Sequence, residues 1–282
     1  MSQPALSLSA EFLKANDKDR YFATLVLPEP QREAIQALYA FNADVATVRD
    51  RAREPAPGEI RLQWWVDAIK GEGHGAVRQN PIAAGLLDPI AAYQLPASVA
   101  LQRLIAARRF DLYDDPMPDV QSFEGYAGET VSVLYQLSAM ILNGGAEVET
   151  GDAAGHLGVA QALVGHLRAF GLNAARGRIF LPWSIFAANG VREGELFAGQ
   201  ASEGLLAAHA QLIDLAREHL GKAEVAIAAL PKPLRPAFAQ AALQRIYLKG
   251  VERQSETPFA PPAEVADWRK IAALSLWALR KA

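Results

Sequence analysis

Along almost the whole chain, apolar side chains recur at intervals of three and four, interrupted mainly by prolines and glycines. Stripes spaced in this way are buried by packing helix on helix, so the pattern commits the chain to an all-helical architecture. "PEPQREAIQALYAFNADVATVRDRAREPAPG" predicts one helix that starts after Pro28 and Pro30 and stops before Pro55, with Ile35, Leu38, Tyr39 and Ala46 on its apolar side. "PGEIRLQWWVDAIKGEG" predicts a short helix closed by glycines, and "PASVALQRLIAARRFDLYDD" a helix from Pro96 that ends before Pro116. "SFEGYAGETVSVLYQLSAMILNGG" predicts a helix capped by Ser122 and closed by Gly144 and Gly145. Further helical runs follow to "AEVADWRKIAALSLWALRKA". No run alternates with the period of a strand, and no fixed repeat or low-complexity linker divides the chain. The expectation is one all-α domain over residues 1–282, of roughly eight to ten packed helices. Residues 1–19 are expected to be loosely ordered and 263–282 to form a terminal amphipathic helix.

Composition removes several function classes. With 28 basic and 31 acidic side chains the formal charge is −3, so no global field favours nucleic acid. There is no cysteine, hence no disulfide and no thiolate metal site. The first residues lack a basic segment followed by an apolar run, which predicts no signal peptide. No run approaches the ~18 apolar residues of a membrane span, so a cytoplasmic location is expected. His74, His156, His166, His209 and His219 include no pair at i, i+4, and HExxH, GxSxG and glycine-rich phosphate loops are absent. Asp111, Asp114 and Asp115 have the spacing of one helix face. They could share a hard cation there, or form a solvated helix end before Pro116. Small residues crowd helix interiors such as "AAGHLGVAQALVG", where they serve either close packing or a long apolar ligand.

Two basic features remain. "VGHLRAFGLNAARGRIFLPW" carries no carboxylate, and Arg168, Arg176 and Arg178 are candidates to grip an anion. In the last helix Arg269 and Arg280, and likewise Lys270 and Lys281, are eleven residues apart and return to one stripe. Trp268, Ile271, Ala272, Leu276 and Leu279 lie largely to one side of it, a pattern suited to a weak peripheral contact with an anionic membrane or to plain packing on the bundle.

"DRYFATLVLPEPQREAIQALYAF", "IRLQWWVDAI", "YAGETVSVLY" and "LGVAQALVGHLRAFGLNAARGRIFLP" occur in the order of the squalene/phytoene synthases, and the chain resembles that family from about Arg20 to Tyr247. The resemblance implies a prenyl-synthase bundle with a central cavity, bounded by the helices that carry Asp50, Tyr126 and Arg168. It also implies joining of two prenyl diphosphates with Mg²⁺ held by two aspartate motifs. In this sequence the first motif falls on Ala46, Thr47 and Asp50, and the second on Ala169 and Asn173, with Arg168 kept. Of five acidic positions only Asp50 is acidic. Asp44 lies six residues away from it, about 120° round a helix.

Mg²⁺ takes carboxylate oxygens, and ionising an allylic diphosphate draws several kcal/mol from such metals. The departures therefore point to a non-catalytic scaffold with no metal and no cofactor. They resemble the branch of the family represented by the mitochondrial complex I assembly factor. That resemblance implies complex I subunits or assembly intermediates as partners and a location peripheral to the inner membrane. Loss of four carboxylates beside retained arginines separately predicts a prenyl phosphate or anionic lipid as ligand of a site drawn from Asp50, Tyr126, Arg168, Arg176 and Arg178. The alternative is an active prenyltransferase acting with Mg²⁺.

Overall fold

A computed structural model describes residues 3–52, 54–73 and 75–281, so His74 and Arg53 lie outside the described residues. All regular structure among these residues is helical. α1 (Gln3–Asn16) and α2 (Lys18–Thr24) lead into α3 (Gln31–Ala46) and the single turn α4 (Val48–Arg51). α5 (Pro55–Lys70), α6 (Pro81–Ala92) and α7 (Ala97–Arg108) follow, then α8 (Val120–Ala127) and α9 (Val133–Leu142), joined by a π turn over Gly128–Ser132. α10 (Gly151–Arg168), α11 (Phe170–Ala175), α12 (Trp183–Ala188) and α13 (Glu193–Phe197) precede the longest helix, α14 (Glu203–Ala229). α15 (Gln240–Arg253) and α16 (Asp267–Lys281) complete the described chain.

Local chemistry explains many of these boundaries. Asn80 caps α6 by accepting from the amides of Ile82 and Ala83, with Pro81 in the first turn. Ser202 caps α14 through the Leu205 amide. Gly71 closes α5 at φ 79°, the left-handed region where a side chain is disfavoured. The cap of α8 is Asp119, which accepts from the Ser122 amide, rather than Ser122 itself. α7 ends at Arg108 and tightens into a 3₁₀ turn over Arg109–Leu112, well short of Pro116.

The described residues hold more helices than the expected eight to ten, and two of the breaks between them bear on the site. The predicted helix from Gln31 towards Pro55 breaks at Thr47, at φ −93° and ψ 3°. Its hydroxyl donates to the carbonyls of Ala43 (2.8 Å) and Asp44 (3.1 Å) where α3 gives way to α4. α10 breaks likewise at Ala169, at φ −92° and ψ 8°. Neither motif therefore runs along one continuous helix face.

The segment 1–19, expected to be loosely ordered, is helical from Gln3, and α1 packs on α3 and α6 with Leu13 wholly buried. The core comprises two apolar clusters, and α9 feeds both: Tyr135 and Ala139 enter one, Leu134, Leu137 and Ile141 the other. α10 and α14 make the most extensive helix pair. The small residues of α10 serve close packing at Gly158, where a Cβ would stand 2.1 Å from Ser132 Oγ and 2.8 Å from its backbone nitrogen. α16 begins at Asp267 rather than Ala263 and packs on α2 and α15, with Leu274 buried.

Candidate functional site

The ends of α3 and α10 and the loop before α12 bring the candidate residues into play. Asp44, on the innermost face of α3, is only 3% exposed. It accepts hydrogen bonds from Arg51 Nη1 (2.7 Å), Trp65 Nε1 (2.8 Å) and Arg61 Nη2 (2.9 Å). Burial by itself would raise its pKa, but the bonds from Arg51, Trp65 and Arg61 outweigh it and hold the carboxyl below the usual range. Asp44 thus locks α3, α4 and α5 together. The sequence offered a signal for this, since a lone charge among Phe41, Val45 and Val48 has to be paired.

Two further carboxylates nearby, Asp50 and Asp114, are paired with arginines. Exposed Asp50 lies 3.6 Å from Arg176. Asp114 stands between Arg49 (3.2 Å) and Arg178 (3.5 Å). Asp111, Asp114 and Asp115 do not share a helix face, because α7 has already ended. Asp111 points inward instead: Tyr126 donates to it (2.6 Å), and Arg108 donates both to Asp111 (3.1 Å) and to the Tyr126 hydroxyl (2.8 Å). Burial, above all, raises the Tyr126 pKa, so its hydroxyl stays protonated and donating.

Arg168 does not join Arg176 and Arg178. Its guanidinium carbon lies 3.8 Å over the Tyr247 ring, whose hydroxyl donates to Asp19 (2.5 Å). Lys270 donates to the same carboxylate (2.7 Å), so it faces the bundle and leaves the basic stripe expected of α16. A cavity of about 100 Å³ lies beside Arg168, lined by His209, Tyr247, Val251, Pro258 and Val265 but by neither Asp50 nor Tyr126. The space beside Tyr126 is filled by rings: Phe110 packs on Tyr126 and on Phe180, and His166 stacks on Phe180 with centroids 5.0 Å apart. Burial pushes the His166 imidazole down to about 4, so it is neutral at physiological pH. A few polar pairs lie among the apolar clusters. Buried Arg20 pairs with Asp17 (3.2 Å) and lies over Tyr39, Gln36 donates to Thr24 (2.9 Å), and Tyr135 donates to Gln161.

Mg²⁺ needs several hard anionic oxygens. The motif positions supply methyl groups at Ala46 and Ala169, a carboxamide at Asn173, and a Thr47 hydroxyl already spent on backbone carbonyls. Asp50 is the one carboxylate among them, and these residues do not fit a Mg²⁺ cage.

The sequence profile of squalene/phytoene synthase matches residues 13–272. The chain belongs to the squalene/phytoene synthase family. Among curated members of the family it is 28% identical over 271 residues to NADH dehydrogenase (ubiquinone) complex I, assembly factor 6, of Bos taurus, covering 92% of this chain and 81% of that one. To the 15-cis-phytoene synthase of Synechococcus elongatus it is 27% identical over 277 residues, covering 93% and 89%. Among solved structures, a ligand-bound dehydrosqualene synthase superimposes with a TM-score of 0.81 at 22% identity, covering 99% of this chain and 98% of that one. Squalene synthase HpnC from Alicyclobacillus acidocaldarius gives 0.76 at 20%, covering 91% and 96%. The fold of a squalene/phytoene synthase is therefore present, while Ala46, Thr47, Ala169 and Asn173 carry no carboxylate and Asp50 is paired with Arg176.

Sequence reasoning did not find the roles of Arg108, Asp19 and Tyr247 or the Phe110–Phe180–His166 stack, and it placed Lys270 on the outer stripe rather than against Asp19. Each acquires its place from a partner on another segment of the chain.

Proposed function

We propose that this member of the family is a non-catalytic scaffold that serves in the assembly of respiratory complex I. The observation that carries the reading is the replacement of a metal-binding carboxylate set by direct arginine–aspartate pairs, Arg176–Asp50 and Arg49–Asp114–Arg178, on a retained fold. Arginines neutralised by aspartates in this way do not assemble the charge that stabilises a departing diphosphate. The similarity to curated complex I assembly factors supplies the class of partner. Affinity purification of the chain from its own cells is expected to recover complex I subunits, and the purified protein to release no diphosphate from farnesyl or geranylgeranyl diphosphate with Mg²⁺. Mg²⁺-dependent product formation without such partners would establish a prenyltransferase instead.

The anion site at Arg176 and Arg178 belongs to the same reading and takes a prenyl phosphate or a lipid head group by charge-assisted hydrogen bonds. So does peripheral attachment to the inner membrane. No helix among the described residues is long and apolar enough to cross a membrane. α16 instead turns Trp268 (70% exposed), Ile271, Leu276 and Leu279 (80% exposed) outward, with exposed Arg269 and Arg280 along one edge. Flotation with anionic liposomes is expected at low salt, to fall at high salt, and to be lost in a chain ending at Pro262. Equal flotation by both chains, or by neither, would leave α16 as a packing helix only.

A further inference from the structure

On the side of the bundle formed by α8, α10 and α14, two histidines 63 residues apart in sequence meet edge to edge. His156 Nδ1 lies 3.1 Å from His219 Nδ1, and the rings are inclined by 61° with centroids 5.1 Å apart. The second nitrogen of His219, Nε2, lies 3.2 Å from Glu124 Oε1. That contact favours the tautomer with the proton on Nε2. With its Nε2 proton held by the carboxylate, neutral His219 presents a bare lone pair at Nδ1 towards His156. In the absence of a metal, one proton on His156 Nδ1 fills the gap as an N–H···N hydrogen bond.

We infer that His156 and His219 form a two-nitrogen site for a divalent d-block cation of the zinc type, which takes the place of that shared proton. The spacing fits. At a metal–nitrogen distance near 2.05 Å, two imidazole nitrogens stand about 2.9 Å apart for a right-angled bite and about 3.3 Å apart for a tetrahedral one. The 3.1 Å observed lies between the two. Glu124 behind His219 completes a carboxylate–histidine–metal arrangement, which orients the ring and raises its donor strength.

The surroundings suit such an ion. Asp152 lies one turn before His156 on α10 and lines the same cavity of about 230 Å³. Gly128 and Gly155 line it too, and a Cβ at either would meet nothing within 4 Å, so water can complete the coordination shell. The π turn that distorts the α8–α9 helix contributes Gly128 and Ser132 to this wall, a backbone feature often found at functional sites. The opposing charges are already paired: Lys222 with Glu218 (2.6 Å), and Arg217 with Glu252 (2.9 Å) and Asp214. No group of three or more His, Asp or Glu among the described residues is arranged to hold a metal, so two protein nitrogens and water make up the shell. The ion would tie α10 to α14, the most extensive helix pair in the bundle. Imidazole ligands exclude Mg²⁺ in favour of zinc and its neighbours, and the site is independent of the arginine-rich mouth.

The test uses the full chain without a histidine tag, stripped of metal by a chelator. Calorimetric titration with Zn²⁺ is expected to give one equivalent in the micromolar range, unaffected by excess Mg²⁺, together with a higher melting temperature. Co²⁺ is expected to give visible d–d bands typical of nitrogen and water ligation. H156Q and H219Q should each abolish the stoichiometric step, and E124Q should weaken it about 10–100-fold. Circular dichroism establishes that the variants fold, and the wild-type cobalt spectrum stands without any variant. Absence of Zn²⁺ binding by wild type at millimolar concentration overturns the proposal. So does binding that survives H156Q in folded protein.

Discussion

Asp44→Ala lowers the folding stability by about 3 kcal/mol, at the lower end of the cost of breaking a buried ion pair. The carboxylate is almost wholly enclosed, but its partners Arg51 and Arg61 keep 50% and 38% of their side chains in solvent and recover hydration when it is gone. The residual cost falls on Trp65, whose buried indole N–H loses its acceptor, and on the junction of α3, α4 and α5. For a chain of this size the loss corresponds to a drop in melting temperature of roughly 6–12 °C. Asp44→Asn keeps an acceptor for Trp65 and should lose about half as much. Urea and thermal unfolding followed by circular dichroism measure both.

The pH dependence has a definite sign. The folded pKa of Asp44 lies below its unfolded value of 3.8, so its stabilisation is complete above that value and disappears as pH falls through the folded one. The wild-type advantage over Asp44→Ala should therefore shrink on acidification below pH 3.8 and stay constant towards neutrality. A loss under about 1 kcal/mol at neutral pH, typical of an exposed pair, would mean that Asp44 is not the lock of this corner.

Farnesyl diphosphate is expected to bind without Mg²⁺, and Arg176→Gln with Arg178→Gln to weaken it by about 10–100-fold, the equivalent of one charge-assisted hydrogen bond of about 1.5–3 kcal/mol. The ligand has to displace Asp50 and Asp114 from these arginines, which limits its affinity. Arg168→Gln should matter less, because Arg168 lies over Tyr247 beside Asp19 and Lys270. Restoring aspartate at Ala46, Thr47, Ala169 and Asn173 should raise Mg²⁺ affinity at least about tenfold, since four carboxylates supply the hard oxygens that the present residues lack. Isothermal titration with farnesyl diphosphate and with Mg²⁺ reads both effects. Micromolar Mg²⁺ binding by the wild type near Asp50, or no diphosphate binding at all, would overturn this account of the mouth.

What the sequence determined by itself was local. A three-and-four apolar period and its proline and glycine stops are written along the chain, because a helix buries one stripe whatever it packs on. All-helical structure followed from that period, and once the family resemblance fixed the motif positions, the identities of Ala46, Thr47, Ala169 and Asn173 showed the missing carboxylates. The helix ends were less legible, because α3 ends beside Thr47, whose hydroxyl bonds to the preceding turn's backbone, within a segment that reads as continuous helix. Partnership was the province of the tertiary structure. Asp44 meets Trp65 across 21 positions, Tyr247 meets Asp19 across 228, and His156 meets His219 across 63. No periodicity spans such distances. Each partner is selected by which helices the packed core places side by side, and by the cost of leaving a buried charge or N–H unpaired once they are there.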